Sequence, residues 1–183
     1  MLHPSLRMDR LRKGKDAMPN TETVVELFEL AIASEWAAEE LYLGFKARFA
    51  RHQDAADFWG HYAREEVGHA RWLERIRDDS RPERLSALAD PFILTSVRSF
   101  LQFSPQHTLE EVKDLEDAFQ AANDLENSEI NVVFEFIIAN FSSADEGRSF
   151  LRSQLREHIA ILMVEFPARF SHPASRQAVK ALE

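Results

Sequence analysis

A glutamate and a histidine three residues apart, Glu66 and His69, fall on what reads as the apolar face of a helix. They lie within Phe58-Trp-Gly-His-Tyr-Ala-Arg-Glu-Glu-Val-Gly-His-Ala-Arg-Trp-Leu-Glu-Arg-Ile76, and the face taken at helical spacing runs Ala55, Trp59, Tyr62, Glu66, His69, Leu73, Ile76. At i, i+3 a carboxylate and an imidazole sit one above the other. An ionised glutamate in dry surroundings is costly unless something positive meets it, and a divalent metal bound by both side chains does so economically. The competing reading is a Glu–His pair bonded to each other in a crowded core.

Three more amphipathic runs carry similar interruptions. Thr23-Val-Val-Glu26 has the spacing of a capping box and opens a run to about Ala50, with the stripe Phe28, Ala31, Glu35, Ala38, Tyr42, Phe45, Phe49. Glu35 stands in its middle; Glu39 and Glu40 fall toward the solvated flank, and Glu35 itself also reads as a boundary residue of a stripe drawn too wide. Thr108-Leu-Glu-Glu111 repeats the capping spacing and predicts one helix to about Asn140, with the face Val112, Leu115, Phe119, Ala122, Glu126, Glu129, Val133, Phe136, Asn140. Its centre is a Glu-x-x-Glu pair, while Asp114, Glu116, Asp117 and Asp124 read as solvated charge. Ser143-Ala-Asp-Glu146 caps a fourth helix, from about Ala144 to Phe166 and stopped by Pro167, whose apolar side is Leu151, Leu155, His158, Leu162, with Gln154 beside His158. A lone histidine on such a stripe reads equally as a satisfied core residue. His61 is at most an outer neighbour of this chemistry, and His3, His52, His107 and His172 fall in loops or tails.

The connections decide how these helices meet. Arg51-His-Gln-Asp54 is short, with Asp54 as the expected N-cap of the second helix, so the first two helices are antiparallel neighbours. The second ends near Asp79. Residues 80–107 contain Pro82, Pro91 and Pro105, which exclude one long helix, yet Phe92, Ile93, Leu94, Val97, Phe100, Leu101 and Phe103 are too apolar for an exposed loop. The expectation is a long crossover with a short helix over 91–103 packed on the bundle; the competing reading is a membrane-surface or partner-binding helix.

Composition bounds the rest. Five glycines and no long β-branched runs favour an all-α fold in a single domain. With no cysteine, disulfides, thiolate metal sites and cysteine-ligated electron-transfer modules are excluded. No stretch approaches ~20 consecutive apolar residues, which excludes a transmembrane helix, and without a signal-type apolar segment the expected location is cytoplasmic. Residues 1–17 carry five basic against two acidic residues, so of the net charge of −9 the remaining body carries −12. An acidic body argues against nucleic acid as a partner. The predicted organisation is a basic, disordered arm over 1–20, a four-helix bundle over 21–167 and a C-terminal tail over 168–183.

The polar interruptions share a depth. Four packed helices would bring Glu35, Glu66, His69, Glu126, Glu129 and His158 together at mid-bundle, where several carboxylates either take up protons or receive cations. Here the chain resembles the ferritin-like superfamily of di-iron carboxylate bundles, and within it the rubrerythrin family. Ser34-Glu35 with Tyr42 is similar to the family's first motif, Glu66-Val-Gly-His69-Ala-Arg to its second, and Glu126-Asn-Ser-Glu129 to its third, which carries two carboxylates. The likeness covers roughly 22–166.

That resemblance implies a ferritin-like four-helix bundle with a long crossover between helices 2 and 3. It also implies two Fe ions, or Mn or mixed Fe/Mn, held by those six residues, with Glu66 bridging and Tyr42 or Tyr62 hydrogen-bonding behind them. The implied activity is Fe(II) oxidation by O2 or peroxide, of peroxidase or ferroxidase type. The missing cysteine module implies a separate electron-donor protein, and the family implies a homodimer through helices 1 and 2. One departure matters: Leu155 occupies the position of the fourth-helix carboxylate, and Glu157 lies about 100° away around the helix. Glu129 or Gln154 would have to compensate; otherwise a non-catalytic scaffold or iron-handling protein with one metal or none is the alternative.

Overall fold

The computed structural model describes residues 22–127, 130–141 and 145–166. Eight helices occur among the described residues: α1 Val24–Arg48, α2 Gln53–Asp79, α3 Pro82–Leu85, α4 Pro91–Leu101, α5 Pro105–Glu111, α6 Leu115–Glu126, α7 Ile130–Phe141 and α8 Asp145–Glu165. The fold is all-α; the only β pairing among these residues is an isolated bridge between Thr23 and Leu88. That bridge, with Val24 N–H donating to Ala87 O and Ala89 N–H to Glu22 O, both at 2.9 Å, ties the start of α1 to the crossover.

Local chemistry sets the ends of α1. The Glu26 carboxylate reaches back to accept the Thr23 N–H at 2.6 Å, and Lys46 and Arg48 occupy the last turn, where cations suit the helix dipole. Its stripe Phe28, Ala31, Glu35, Ala38, Tyr42, Phe45, Phe49 is buried throughout. Each large apolar member contributes about 1.5–3 kcal/mol by leaving water. α2 begins two residues earlier than the sequence predicts: His52 is its N-cap, and Asp54 lies in the first turn, where its charge still meets the positive helix end.

The single helix expected over 108–140 does not form. α5 starts at Pro105 behind the cap Ser104, whose hydroxyl accepts the His107 N–H, and it stops where Val112 turns extended. Asp114 then caps α6 by accepting the Asp117 N–H at 3.0 Å, while Asp117 accepts the Lys113 N–H at 2.9 Å. Acidic side chains read as solvated charge are therefore a reciprocal cap that restarts the chain. α6 ends at Glu126 with Asn127 as C-cap, its amide donating to Asn123 O at 2.8 Å. The fourth helix agrees with its expected span, while Ser143, Pro167, the arm over 1–20 and the tail over 168–183 lie outside the described residues.

The crossover helix α4 packs against α1 and α7. Ile93, Leu94 and Val97 are buried there, so the apolar face a membrane-surface helix would need is already covered; Phe92 remains 67% exposed. No described helix is long and apolar enough to cross a membrane.

Gly44 lies where α1 and α5 pass close together. A Cβ there would run into the Leu109 side chain. Gly44→Ala gains about 1 kcal/mol of helix propensity but displaces Leu109, so the single change should be neutral to destabilising. In a Leu109→Ala background the same substitution should stabilise by about 0.5–1 kcal/mol, a sign reversal that urea unfolding of the four-member cycle reads directly.

Candidate metal centre

Three glutamates from three helices end in one buried place. Glu35 of α1, Glu66 of α2 and Glu126 of α6 are all buried, as is His158 of α8, and His69 of α2 closes the group with 22% of its side chain exposed. The sequence accounts for the convergence. Each polar residue replaces an apolar one at its stripe's midpoint, so the packing that buries the neighbours carries the polar group inward. Beside the group, Tyr42, Phe45, Phe58, Trp59, Tyr62, Phe119 and Phe166 form a continuous aromatic cluster, with Tyr42 stacked on Trp59 at 5.7 Å and Phe119 on Phe166 at 5.3 Å.

Glu66 is the hub. Its Oε2 lies 3.0 Å from His69 Nδ1, and its Oε1 lies 3.1 Å from His158 Nε2. His69 Nδ1 also faces Glu35 Oε2 at 3.4 Å, and His158 Nε2 faces Glu126 Oε2 at 3.3 Å. Both expected tyrosines join in. The Tyr42 hydroxyl donates to Glu126 Oε1 at 2.5 Å, whereas Tyr62 stacks on the His158 ring at 4.2 Å and donates to its backbone carbonyl at 3.1 Å.

The electrostatics follow from who faces whom. Burial raises the Glu35 carboxyl to about 8: His69 pulls the other way without offsetting the lost hydration, and the neighbouring Glu66 charge adds to the rise. Burial acts on Glu66 in the same sense, but it meets two imidazoles, and their charges hold it below the ordinary carboxylate range. Dehydration works against protonating the histidines, yet the carboxylates win: His69 rises to about 10 through Glu35 and Glu66, and His158 rises well above its usual value through Glu126 and Glu66. In the metal-free chain the two imidazolium groups occupy the role of cations.

A metal fits this donor set. Glu66, His69 and His158 each offer a ligand atom, all within 4.8 Å of one another. Glu66 Oε1 and His158 Nε2 are buried and face each other without the alignment of a hydrogen bond, so a donor oxygen and a donor nitrogen stand unsatisfied side by side. Carboxylate oxygens with imidazole nitrogens suit Fe, Mn or Zn.

Of the six residues singled out in the sequence, Glu35, Glu66, His69, Glu126 and His158 are brought together; Glu129 lies outside the described residues, as do the side chains of Gln154 and Leu155. Sequence reasoning missed Glu65, whose Oε2 lies 2.8 Å from His158 Nδ1. The available signal was its i+7 spacing from the buried Phe58, which places position 65 on a second inward-facing line of α2. Among known proteins, the family model Rubrerythrin matches residues 26–154. No curated protein and no solved structure matches.

Proposed function

The chain belongs to the rubrerythrin family, and from that premise we propose that its mid-bundle cluster holds two non-haem irons and that the protein oxidises Fe(II) with peroxide or O2. The observation that carries this reading is the convergence of Glu35, Glu66, Glu126, His69 and His158, with Glu66 Oε1 and His158 Nε2 left buried and unbonded. A core built for stability alone would pair such atoms or replace them with apolar ones. Two bound Fe(II) ions would supply two electrons, matched to the reduction of one peroxide to water.

The chain's own groups prepare that chemistry. Glu66, set between both imidazoles, is the natural shared ligand, and Glu35 and Glu126 serve one side each. Tyr42 holds Glu126 by its 2.5 Å hydrogen bond, and the buried aromatic cluster keeps bulk water from that side. His69, the most open member, marks the side on which a small oxidant reaches the centre. Electrons come from a separate donor protein, since a chain without cysteine has no thiolate-held iron of its own. Trp36 and Leu43, exposed at i, i+7 on α1, are the apolar surface for the homodimer that the family suggests.

The test is anaerobic loading with Fe(II), elemental analysis after desalting, then peroxide added while Fe(III) absorbance is followed. About two irons per chain, with one peroxide consumed per pair, supports the reading; iron near zero overturns it. A content near one favours a second reading, an iron-handling scaffold, which Leu155 in place of the fourth-helix carboxylate keeps in play.

Metal entry should also release protons. Below the raised values of His69 (about 10) and Glu35 (about 8), both groups are protonated in the metal-free chain, and ligation requires them to be free of protons. Affinity should therefore rise with pH across 6–8, and titration calorimetry near pH 7 should give a binding enthalpy that tracks the ionisation enthalpy of the buffer. A buffer-independent enthalpy would contradict the assignment.

A further inference from the structure

Between Asp57 and Asp78, the solvent-exposed residues of α2 are His61, Arg64, Gly68, Arg71 and Arg75. No carboxylate is exposed among them, although residues 18–183 together carry −12. Arg64, Arg71 and Arg75 stand at i, i+7 and i+11, so at a rise of 1.5 Å per residue three guanidinium groups share a line about 16 Å long. None of the three has a carboxylate partner among the described residues, whereas Arg77 on the same helix pairs with Glu29 and Asp78. Gly68 lies in the middle of the line, and a Cβ there would meet nothing within 4 Å, so a partner can come down onto the helix backbone. Beside the line stands Trp72, partly buried and stacked on Phe134 at 6.1 Å, and Phe134 in turn meets the His69 ring edge-on at 5.9 Å. We propose that this face of α2 is the docking surface for a small, acidic one-electron carrier protein, which delivers its electrons to the centre by way of Trp72, Phe134 and His69.

The inference rests on the di-iron reading and gives its separate electron donor a place to arrive. An acidic partner is repelled by the rest of an acidic body, and a face lined with arginine lowers that cost, so the charge pattern selects one orientation before contact. A second copy of the same face would set arginine against arginine, which disfavours this surface as a two-fold interface. An indole among arginines also has the composition of an interface hot spot. His69 is the member of the cluster most open to solvent, with 22% of its side chain exposed, so an electron arriving at Trp72 has two ring contacts to cross. Each encounter moves one electron: the carrier is oxidised by one, one Fe(III) returns to Fe(II), and no bond is made or broken. Two encounters restore the pair that one peroxide consumes.

The test uses an acidic two-iron ferredoxin of the plant type as the probe. The first measurement titrates it into the metal-free chain and follows backbone amide NMR shifts and the dissociation constant. Shifts should fall on the exposed line from His61 to Arg75, and affinity should drop as salt rises past about 0.1 M, where the screening length is about 10 Å. Reversing all three charges, by Arg64→Glu, Arg71→Glu and Arg75→Glu together, should weaken binding about 10- to 100-fold. Gly68→Glu, whose side chain enters open space and leaves the packing alone, should weaken it in the same direction. The second measurement mixes reduced ferredoxin with the iron-loaded, oxidised chain and follows the visible bands of the carrier. The triple reversal should lower the second-order rate by a similar factor, while Trp72→Leu at saturating ferredoxin should slow the transfer itself several-fold. Shifts that fall elsewhere, an affinity indifferent to the triple reversal, or a transfer rate untouched by Trp72→Leu would overturn the inference. So would a changed oligomeric state in the triple variant with carrier binding intact, which would give the face to a second copy of the chain. A parent that holds no iron sinks the di-iron reading, while the titration of the metal-free chain still decides whether an acidic carrier docks on α2.

Discussion

Glu66→Ala should leave the protein unable to retain metal, with iron per chain falling from about two to near zero under loading conditions that fill the parent. Among the described residues, no other carboxylate pairs with both histidines: one oxygen lies 3.0 Å from His69 and the other 3.1 Å from His158. Removing it takes away the shared donor and separates the two halves of the site. The same change should destabilise the metal-free chain, because two buried imidazolium groups lose the counter-charge between them. Stripping one partner from a buried ionic group costs about 3–5 kcal/mol, and the low end applies here, since Glu126 stays beside His158 and Glu35, relieved of the Glu66 charge that raises its pKa, ionises more readily beside His69. Urea unfolding of the metal-free proteins measures this cost. Glu66→Gln separates chemistry from folding: it keeps side-chain volume and one acceptor oxygen, so it should lose metal with a smaller loss of stability. Full iron content in Glu66→Ala would place the metal somewhere other than this cluster.

The prominence of Glu66 is legible in the sequence, and the reason is physical. Where burial and helical period alone decide a residue's direction, as for Glu35 on α1 and Glu66 on α2, the stripe shows which way each side chain faces. The long third helix expected from the spacing is divided because side-chain caps compete with periodicity. Asp114 and Asn127 each satisfy backbone groups locally, and a hydrogen bond of that kind stops a helix without disturbing the apolar spacing around it. Glu65 escaped for the opposite reason. Its partner, His158, is 93 residues away, and the one local sign, the i+7 spacing from Phe58, does not say which helix the carboxylate meets. The family motifs point to the residues proposed to hold a metal; the contacts around those residues belong to the tertiary packing.

Glu129→Ala should lower iron content from about two per chain to about one, and adding Leu155→Glu in that background should restore the second ion. The argument is one of ligand charge. Among the described carboxylates that face the centre, Glu35, Glu66 and Glu126 would supply three negative charges to two divalent ions that bring four positive ones, while Glu65 meets His158 on the far side of its ring. A fourth ligating carboxylate completes the balance. In the family pattern it comes from the fourth helix, three residues before the histidine, and this chain has Leu155 there. Glu129 is then the source, at i+3 from Glu126, in the segment between α6 and α7. Positions 155 and 158 stand at i, i+3 on α8, so a glutamate introduced at 155 shares a helix face with His158. Iron analysis of the parent, the two single variants and the double variant, after identical anaerobic loading, reads the whole scheme. Two irons retained by Glu129→Ala would remove that residue from the centre. A single iron in the double variant would mean that position 155 cannot serve the second site, and a parent that itself holds one iron, raised to two by Leu155→Glu alone, would identify Leu155 as the change that separates this protein from a complete di-iron centre.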